Sequence, residues 1–462
     1  MNVSPLQTKQ LSLKKVLGFS SLFVVAIGNV TSQSSFVSIL NGAGQGGASF
    51  LIALLLAAIL TLCYIFTYLE LSLMMPKAGG PGTYTTVAMG NFPAIVLVLC
   101  GYIAVSAFSI PSELMLMKRV LETAFPGIYQ HLGLVILILL TILNVLGIDI
   151  FSSVQNLIVY IMIVAILLLG FETFGTAQAQ GIDAATFKKE ILDTNFSVLS
   201  LMTLALWSFA GLEFVCPLIE ESKRPEKDLP RAMLISFFLL IIFYGLIALA
   251  GMIQVPAADL ASSDIPHWLL AQAFYSKTAT FIIVVFAITT SSSTVNILLA
   301  TTPRLFYGMA HHNQLPAIFK KIHPRWDTPW FGILIFAALA AIPLLLFGEK
   351  GDVIIMLITS AASLWLVAYI ISHINVLILR RRYKDFKRPF KTPLYPWPQI
   401  IGITGMSYAL WNNSPSADIQ KQVLINSTII IGIAIIYGIF RVKYTMKKKL
   451  FEPVPIEQAI AD

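Results

Sequence analysis

Residues Val24–Phe36 read VVAIGNVTSQSSF. A nearly continuous apolar run from Val16 to Ile27 leads into this stretch, and apolar residues resume at Phe36 and continue to Leu40. Between the two runs stand Gly28, Asn29, Thr31, Ser32, Gln33, Ser34 and Ser35. Inside lipid every backbone polar group needs an internal partner, and irregular backbone is tolerated only where protein buries it or where it lines a cavity. A glycine and six polar side chains at mid-span therefore predict a membrane helix that breaks around something polar.

The composition says that the surrounding medium is lipid. Of 462 residues, 57% are hydrophobic and only 12% charged, and the mean hydropathy is +0.81. A soluble chain would carry about 25% charged residues. Runs long enough to cross the hydrocarbon core as helices, about 20 residues each, occur at roughly 17–40, 49–73, 92–124, 132–147, 151–174, 196–219, 232–254, 278–306, 329–348, 353–379, 397–412 and 423–441. They are continuous rather than alternating, which argues against a barrel. The expected fold is an all-α polytopic membrane protein of 12 transmembrane helices, the third long enough to tilt. The first apolar stretch is interrupted, follows Lys9, Lys14 and Lys15, and lacks a small-residue cleavage site, so no cleavable signal peptide is expected. Cys63, Cys100 and Cys216 lie in apolar surroundings and read as buried small hydrophobes.

The net charge of +8 is explained by topology rather than by nucleic acid. With the N-terminus in the cytoplasm, 24 of the 31 Lys and Arg residues fall on the cytoplasmic side and seven on the outer side. Both termini then face the cytoplasm, and the basic loops contact anionic lipid. The chain divides into an N-terminal segment (1–16), a first group of five helices (17–174), an outer loop (175–195) expected to carry a short amphipathic helix, a second group of five (196–379), a basic proline-rich loop (380–396), two further helices (397–441) and a tail (442–462).

A second interruption lies in span six, LALWSFAGLEFVCPLIEE, where Ser208, Gly211, Glu213 and Pro217 break an apolar helix. Spans one and six occupy corresponding positions in two halves of five, the pattern of inverted-repeat transporters. Half-helix N-termini offer N–H groups and a positive dipole end to an anion, and unwound carbonyls suit a cation. A free amino acid carries one of each.

Four junctions in chain order then resemble the amino acid–polyamine–organocation superfamily of permeases, from about Lys14 to Arg441. They are YLELSLMMPKAGGPGTYTTV after span two, GLEFVCPLIEESKRPEKDLPRAM after span six, PRLFYGMAHHNQLPAIFKKIHP after span eight and RPFKTPLYPWP before span eleven. The resemblance implies a LeuT-like fold of five-plus-five inverted repeats with helices 1 and 6 discontinuous. It also implies transport of amino acids by alternating access, as in the bacterial arginine/agmatine-type exchangers. Carried over by position, the substrate carboxylate falls on Ser32, Gln33 and Ser34, and the ammonium on carbonyls near Ile27, Val30, Trp207 and Ala210. Trp207 stands where such exchangers have a gating aromatic, and Ser109, Ile110, Ser360 and Ser363 are candidates for the pocket wall.

The chain departs from the family pattern twice. Ser32-Gln33-Ser34 replaces the usual Gly-Ser-Gly, whose glycines let backbone approach the carboxylate. Many relatives carry a lysine six residues after Gln-Asn in span five, but here Gln155-Asn156 is followed at that distance by Met162. Glu213 and Glu113 are the remaining intramembrane carboxylates near the pathway and hence the coupling candidates, while Glu70 reads as structural. Span eight carries Ser291, Ser292 and Thr294, candidate Na⁺ ligands if other oxygens converge on them, with helix-to-helix bonding as the alternative.

The expected function is secondary transport of an amino acid, neutral because the pocket lacks a dedicated acidic or basic residue, as an exchanger or H⁺-coupled symporter. A polyamine or cationic amino acid carrier and a Na⁺-coupled symporter are the alternatives, in a monomer or homodimer. No cofactor is expected. An enzyme would need a His, Asp or Cys cluster at catalytic or metal spacing, and the adjacent His311 and His312 point different ways on a helix. A sugar or drug facilitator would want an Asp-Arg-rich loop after span two, where AGGPGTYTT stands.

Overall fold

The computed structural model describes residue 13 and residues 15–127, 131–175, 184–192, 196–273, 277–346, 351–413 and 417–461. Most of the N-terminal segment and much of the outer loop lie outside the described residues. Among those described, extended pairing is limited to one isolated bridge, Leu17 with Ser222.

The helices run α1 (Phe19–Val30), α2 (Gln33–Gly46), α3 (Phe50–Met74), α4 (Gly80–Met89), α5 (Asn91–Val98), α6 (Val105–Ala124), α7 (Leu132–Leu146) and α8 (Ile148–Gly175). In the loop that follows, α9 covers Ala184–Leu192, where a short helix was expected. The second half continues with α10 (Met202–Phe209), α11 (Pro225–Gln254), α12 (Ala257–Ser262), α13 (Pro266–Gln272), α14 (Lys277–His311), α15 (Trp330–Leu346) and α16 (Gly351–Arg382). Finally come α17 (Trp397–Trp411), α18 (Ala417–Phe440) and a short α19 (Ile456–Ala461).

Each of the twelve stretches expected from hydropathy contains helix among its described residues. Among the described residues, eight helical stretches are long and apolar enough to cross a membrane, and three shorter apolar helices, α1, α7 and α15, accompany them. One of the eight joins α2 to α3 over 42 residues, about 63 Å at 1.5 Å per residue and twice the hydrocarbon thickness. Gly47, at φ +54°, turns the chain between the two. The long third stretch contains a π-helical segment at Leu99–Ala104 and Pro111 inside α6.

The outer faces are apolar, with Ile425, Ile429, Ile433 and Ile436 exposed along α18. The polar residues are inside instead, and α14 is the most deeply buried of the eight stretches. Its Ser293 hydroxyl donates to the Gly28 carbonyl at 2.9 Å and accepts from Gln155 Nε2 at 2.7 Å, tying α1, α8 and α14 together. Each such bond satisfies a group that lipid would leave bare.

One end of the bundle is held by ions. Arg304 on α14 forms a two-pronged pair with Glu221, both fully buried. The Glu221 carbonyl accepts from Val16 and Leu17, so the segment before α1 is anchored there. Glu70 accepts from Arg380 at 2.6 and 2.8 Å and from the Thr392 amide at 2.8 Å, fastening the basic loop to α3. These are structural pairings of the kind expected for Glu70.

Candidate substrate site

The quoted stretch breaks where its polar residues begin. α1 ends as Thr31 N–H and Oγ1 both donate to the Ile27 carbonyl, at 3.0 and 2.8 Å. Ser32 is extended (φ −87°, ψ 158°) and caps α2, its Oγ accepting from the Ser35 amide. Met162, in place of the lysine of many relatives, has its sulfur 3.2 Å from Thr31 Oγ1. The second break lies directly alongside. α10 stops at Phe209, Ala210 is extended, and Gly211 sits at φ +116° before a 3₁₀ segment covering Leu212–Glu221. Asn29 bridges the two breaks, with Nδ2 donating to the Gly211 carbonyl at 3.1 Å.

Between the breaks is a cavity of about 20 Å³, room for roughly one water. Asn29, Ser32, Ser34, Glu113, Trp207 and Thr294 contribute to its wall, together with Ala210, Ser109, Phe214 and Trp365. Two buried polar atoms on this wall, Asn29 Oδ1 and Thr294 Oγ1, have no hydrogen-bond partner among the described residues. Trp207 closes one side. Its Nε1 donates to Ser34 Oγ at 3.1 Å, its ring meets Trp365 edge-on at 5.7 Å, and a smaller apolar cavity lies beyond it, lined by Tyr64, Leu206 and Tyr369.

The N-terminus of α2 already holds a carboxylate. Glu113 on α6 accepts from the Gln33 amide through Oε2 and from the Ser34 amide through Oε1, both at 3.0 Å. Ser291 Oγ shares its one proton between the Glu113 carbonyl at 2.9 Å and Oε2 at 3.1 Å. The remaining first-turn amides are also used, Ser35 by Ser32 Oγ and Phe36 by the Ser32 carbonyl. In this conformation, then, the amides expected to meet a substrate carboxylate meet Glu113 instead. The Gln33 side chain faces away from the cavity. It donates to the Ala287 carbonyl and Ser291 Oγ and contacts His267 Nε2 through Oε1.

The other expected residues divide. The Ile27 and Val30 carbonyls lie beside the break but are engaged, Val30 by the Ser32 amide, Ser35 Oγ and Tyr244 OH. The Trp207 carbonyl accepts from the Ala210 amide. Ser109 lines the cavity, whereas Ile110 is buried and absent from its wall. On α16 the cavity-facing residues are Trp365 and, in the smaller cavity, Ala362, Leu366 and Tyr369. Ser360 points toward Asn426 at 3.4 Å, and buried Ser363 is on neither wall. Of the Na⁺ candidates, Ser291 is engaged with Glu113 and Gln33, Thr294 one turn on faces the cavity, and Ser292 is off its wall. Glu213 accepts from Trp365 Nε1 and Tyr369 OH, both at 2.8 Å, which braces the second break against α16.

The sequence alone assigns no role to Asn29, Trp365 or Tyr369. The aromatic pair at i and i+4, opposite a membrane carboxylate at Glu213, is the available signal.

The comparisons agree with this architecture. The family described as amino acid permease matches residues 17–436. The serine/threonine exchanger SteT of Bacillus subtilis is 26% identical over 96% of this chain and 99% of its own length. The branched-chain amino acid permease BcaP of the same organism is 26% identical over 83% of this chain and 85% of its own. Among solved structures, an Eremococcus coleocola manganese transporter mutant overlays with a TM-score of 0.62 at 15% identity, covering 96% of this chain and 97% of that one. At that identity the likeness is one of fold.

Proposed function

Because this chain belongs to the amino acid permease family, we propose that it carries small neutral amino acids across the cytoplasmic membrane by alternating access, with both termini in the cytoplasm. It is a transporter of amino acids and not an enzyme. The observation that carries the finer reading is the pair of adjacent helix breaks around one buried polar cavity.

On one side the α2 N-terminus has the dipole and amide geometry for a carboxylate. On the other, Asn29 Oδ1 is a buried acceptor among the described residues without a donor, the complement of an ammonium N–H. Leaving such an atom unpaired costs about 1–3 kcal/mol, so a bound ammonium is favoured there. The rest of the wall combines Trp207, Trp365, Phe214, Val105, Ala210 and Leu298 with Ser109, Thr294 and Glu113. The pocket therefore does hold an acidic residue, contrary to the expectation from sequence, but Glu113 is held by the Gln33 and Ser34 amides. The apolar part suits a short uncharged side chain.

An amino acid needs more room than about 20 Å³. The cavity must therefore widen on entry, and in this reading the Trp207–Ser34 contact is the gate between substrate and outer solution. Relatives named for serine and threonine and for branched-chain amino acids fit a neutral substrate. Purified protein in liposomes preloaded with single unlabelled amino acids, assayed for uptake and exchange of labelled ones, tests the proposal. Serine, threonine, alanine or a branched-chain amino acid should exchange. Transport confined to arginine, lysine or polyamines would refute it.

A further inference from the structure

Glu113 is the buried carboxylate for which amino acid binding has no evident use. It is 1% exposed, has three donors, and occupies the amides that a substrate carboxylate would need. Resting on the reading of the site given above, we propose that Glu113 is an internal competitor for the substrate carboxylate, and that its displacement makes transport proton-coupled. The amino acid's carboxylate takes the Gln33 and Ser34 amides. Glu113 then keeps only Ser291 and takes up one H⁺ from the solution that delivered the substrate, forming an O–H bond and losing its charge. When substrate leaves on the opposite side, the proton leaves with it and Glu113 returns to the amides.

The physical reason is the cost of a bare charge. Two carboxylates cannot share two N–H groups at the end of one half-helix, and an ionised carboxylate stripped of donors in a dry site neutralises rather than persists. Two features of the wall suit the exchange. Ser34 Oγ and Ser32 Oγ, 2.9 Å apart, are within the same cavity as Glu113. Thr294 Oγ1, buried there without a partner among the described residues, is available to an incoming polar group.

The surroundings offer little competition for that proton. α2, α7 and α15, which pack against α6, carry no titratable side chain. α14 faces Glu113 with the Ser291 hydroxyl, and α16 brings the Trp365 indole to the cavity. The π-helical turn before α6 brings Tyr102, whose hydroxyl bonds Tyr68. Tyr244 of α11 donates to the Val30 carbonyl, and His267 of α13 reaches Glu113 only through Gln33 and Ser291. Glu213 is bonded to Trp365 and Tyr369.

Two measurements test this with a neutral amino acid that the liposome panel shows to be carried. Wild-type protein in weakly buffered detergent with a pH-indicator dye should take up about one proton per amino acid bound, and its affinity should fall about tenfold per pH unit on the alkaline side, as one linked proton requires. Glu113→Gln should bind with no proton uptake and a flat pH profile. In liposomes it should lose accumulation driven by a pH gradient. Binding without proton uptake in the wild type, or an unchanged pH profile in Glu113→Gln, overturns the proposal while leaving amino acid transport standing. If Glu113→Gln does not fold, the wild-type proton count decides alone. A wild type that carries no amino acid at all would overturn the functional reading and this one together.

Discussion

Gly211 sits where the second broken helix must turn, and replacing it by alanine has a cost that follows from the structure. At φ +116° an L-residue is strained, by about 1–2 kcal/mol on the handedness argument. A Cβ built there lies 2.5 Å from Asn29 Nδ2 and 3.0 Å from the Trp365 ring. Asn29 must then move and lose its bond to the Gly211 carbonyl, a further loss of about 1 kcal/mol. Gly211→Ala should therefore destabilise the protein by roughly 2–3 kcal/mol. Because Asn29 also lines the cavity, substrate affinity should fall by at least about tenfold, the equivalent of 1.4 kcal/mol. Gly245→Ala and Gly432→Ala are the controls, since a Cβ at either position meets nothing within 4 Å and neither has positive φ. Both sit inside helices and should be neutral or slightly stabilising. The assay is thermal unfolding in detergent followed by liposome uptake at matched protein density. Wild-type melting and uptake in Gly211→Ala would refute the argument that this backbone position and Asn29 act together.

Other outcomes follow from the same contacts. Arg304→Met leaves Glu221 charged and buried, and should cost about 3–5 kcal/mol, while Arg304→Met with Glu221→Leu should recover most of that loss in the same melting experiment. Trp207→Ala removes the bond to Ser34 and the edge contact with Trp365, and should lower exchange by about tenfold or more in protein that still elutes as a folded species. Wild-type exchange would remove Trp207 from the gate. Cys63, Cys100 and Cys216 are all free and buried, so maleimide should label the folded protein far more slowly than the denatured one, as counted by intact mass.

Much of the site was legible in the chain and some of it was not, and Glu113 marks the boundary. As a carboxylate inside an apolar span it was visible as a functional candidate, and the α2 N-terminus was visible as an anion site. That one occupies the other joins residues 80 apart in sequence, and no local pattern reports such a pairing. The wall of α16 shows a different limit. Ser360 and Ser363 are polar, yet the helix turns Trp365 and Tyr369 toward the breaks. A helix that is apolar nearly all round has no amphipathic stripe to show which face is turned inward.

The sequence by itself determined the medium, the helical class and the places where two helices come apart. Hydrocarbon admits only helices and closed barrels, and apolar runs that are continuous rather than alternating select helix. A glycine beside unsatisfied polar side chains marks a break that protein must bury. Tertiary structure alone decided what fills those breaks. It set Asn29 against Gly211, Trp207 against Ser34 and Glu113 against the Gln33 and Ser34 amides. The donors and acceptors freed at a helix break are generic, and only the packing of distant helices selects which partner reaches them.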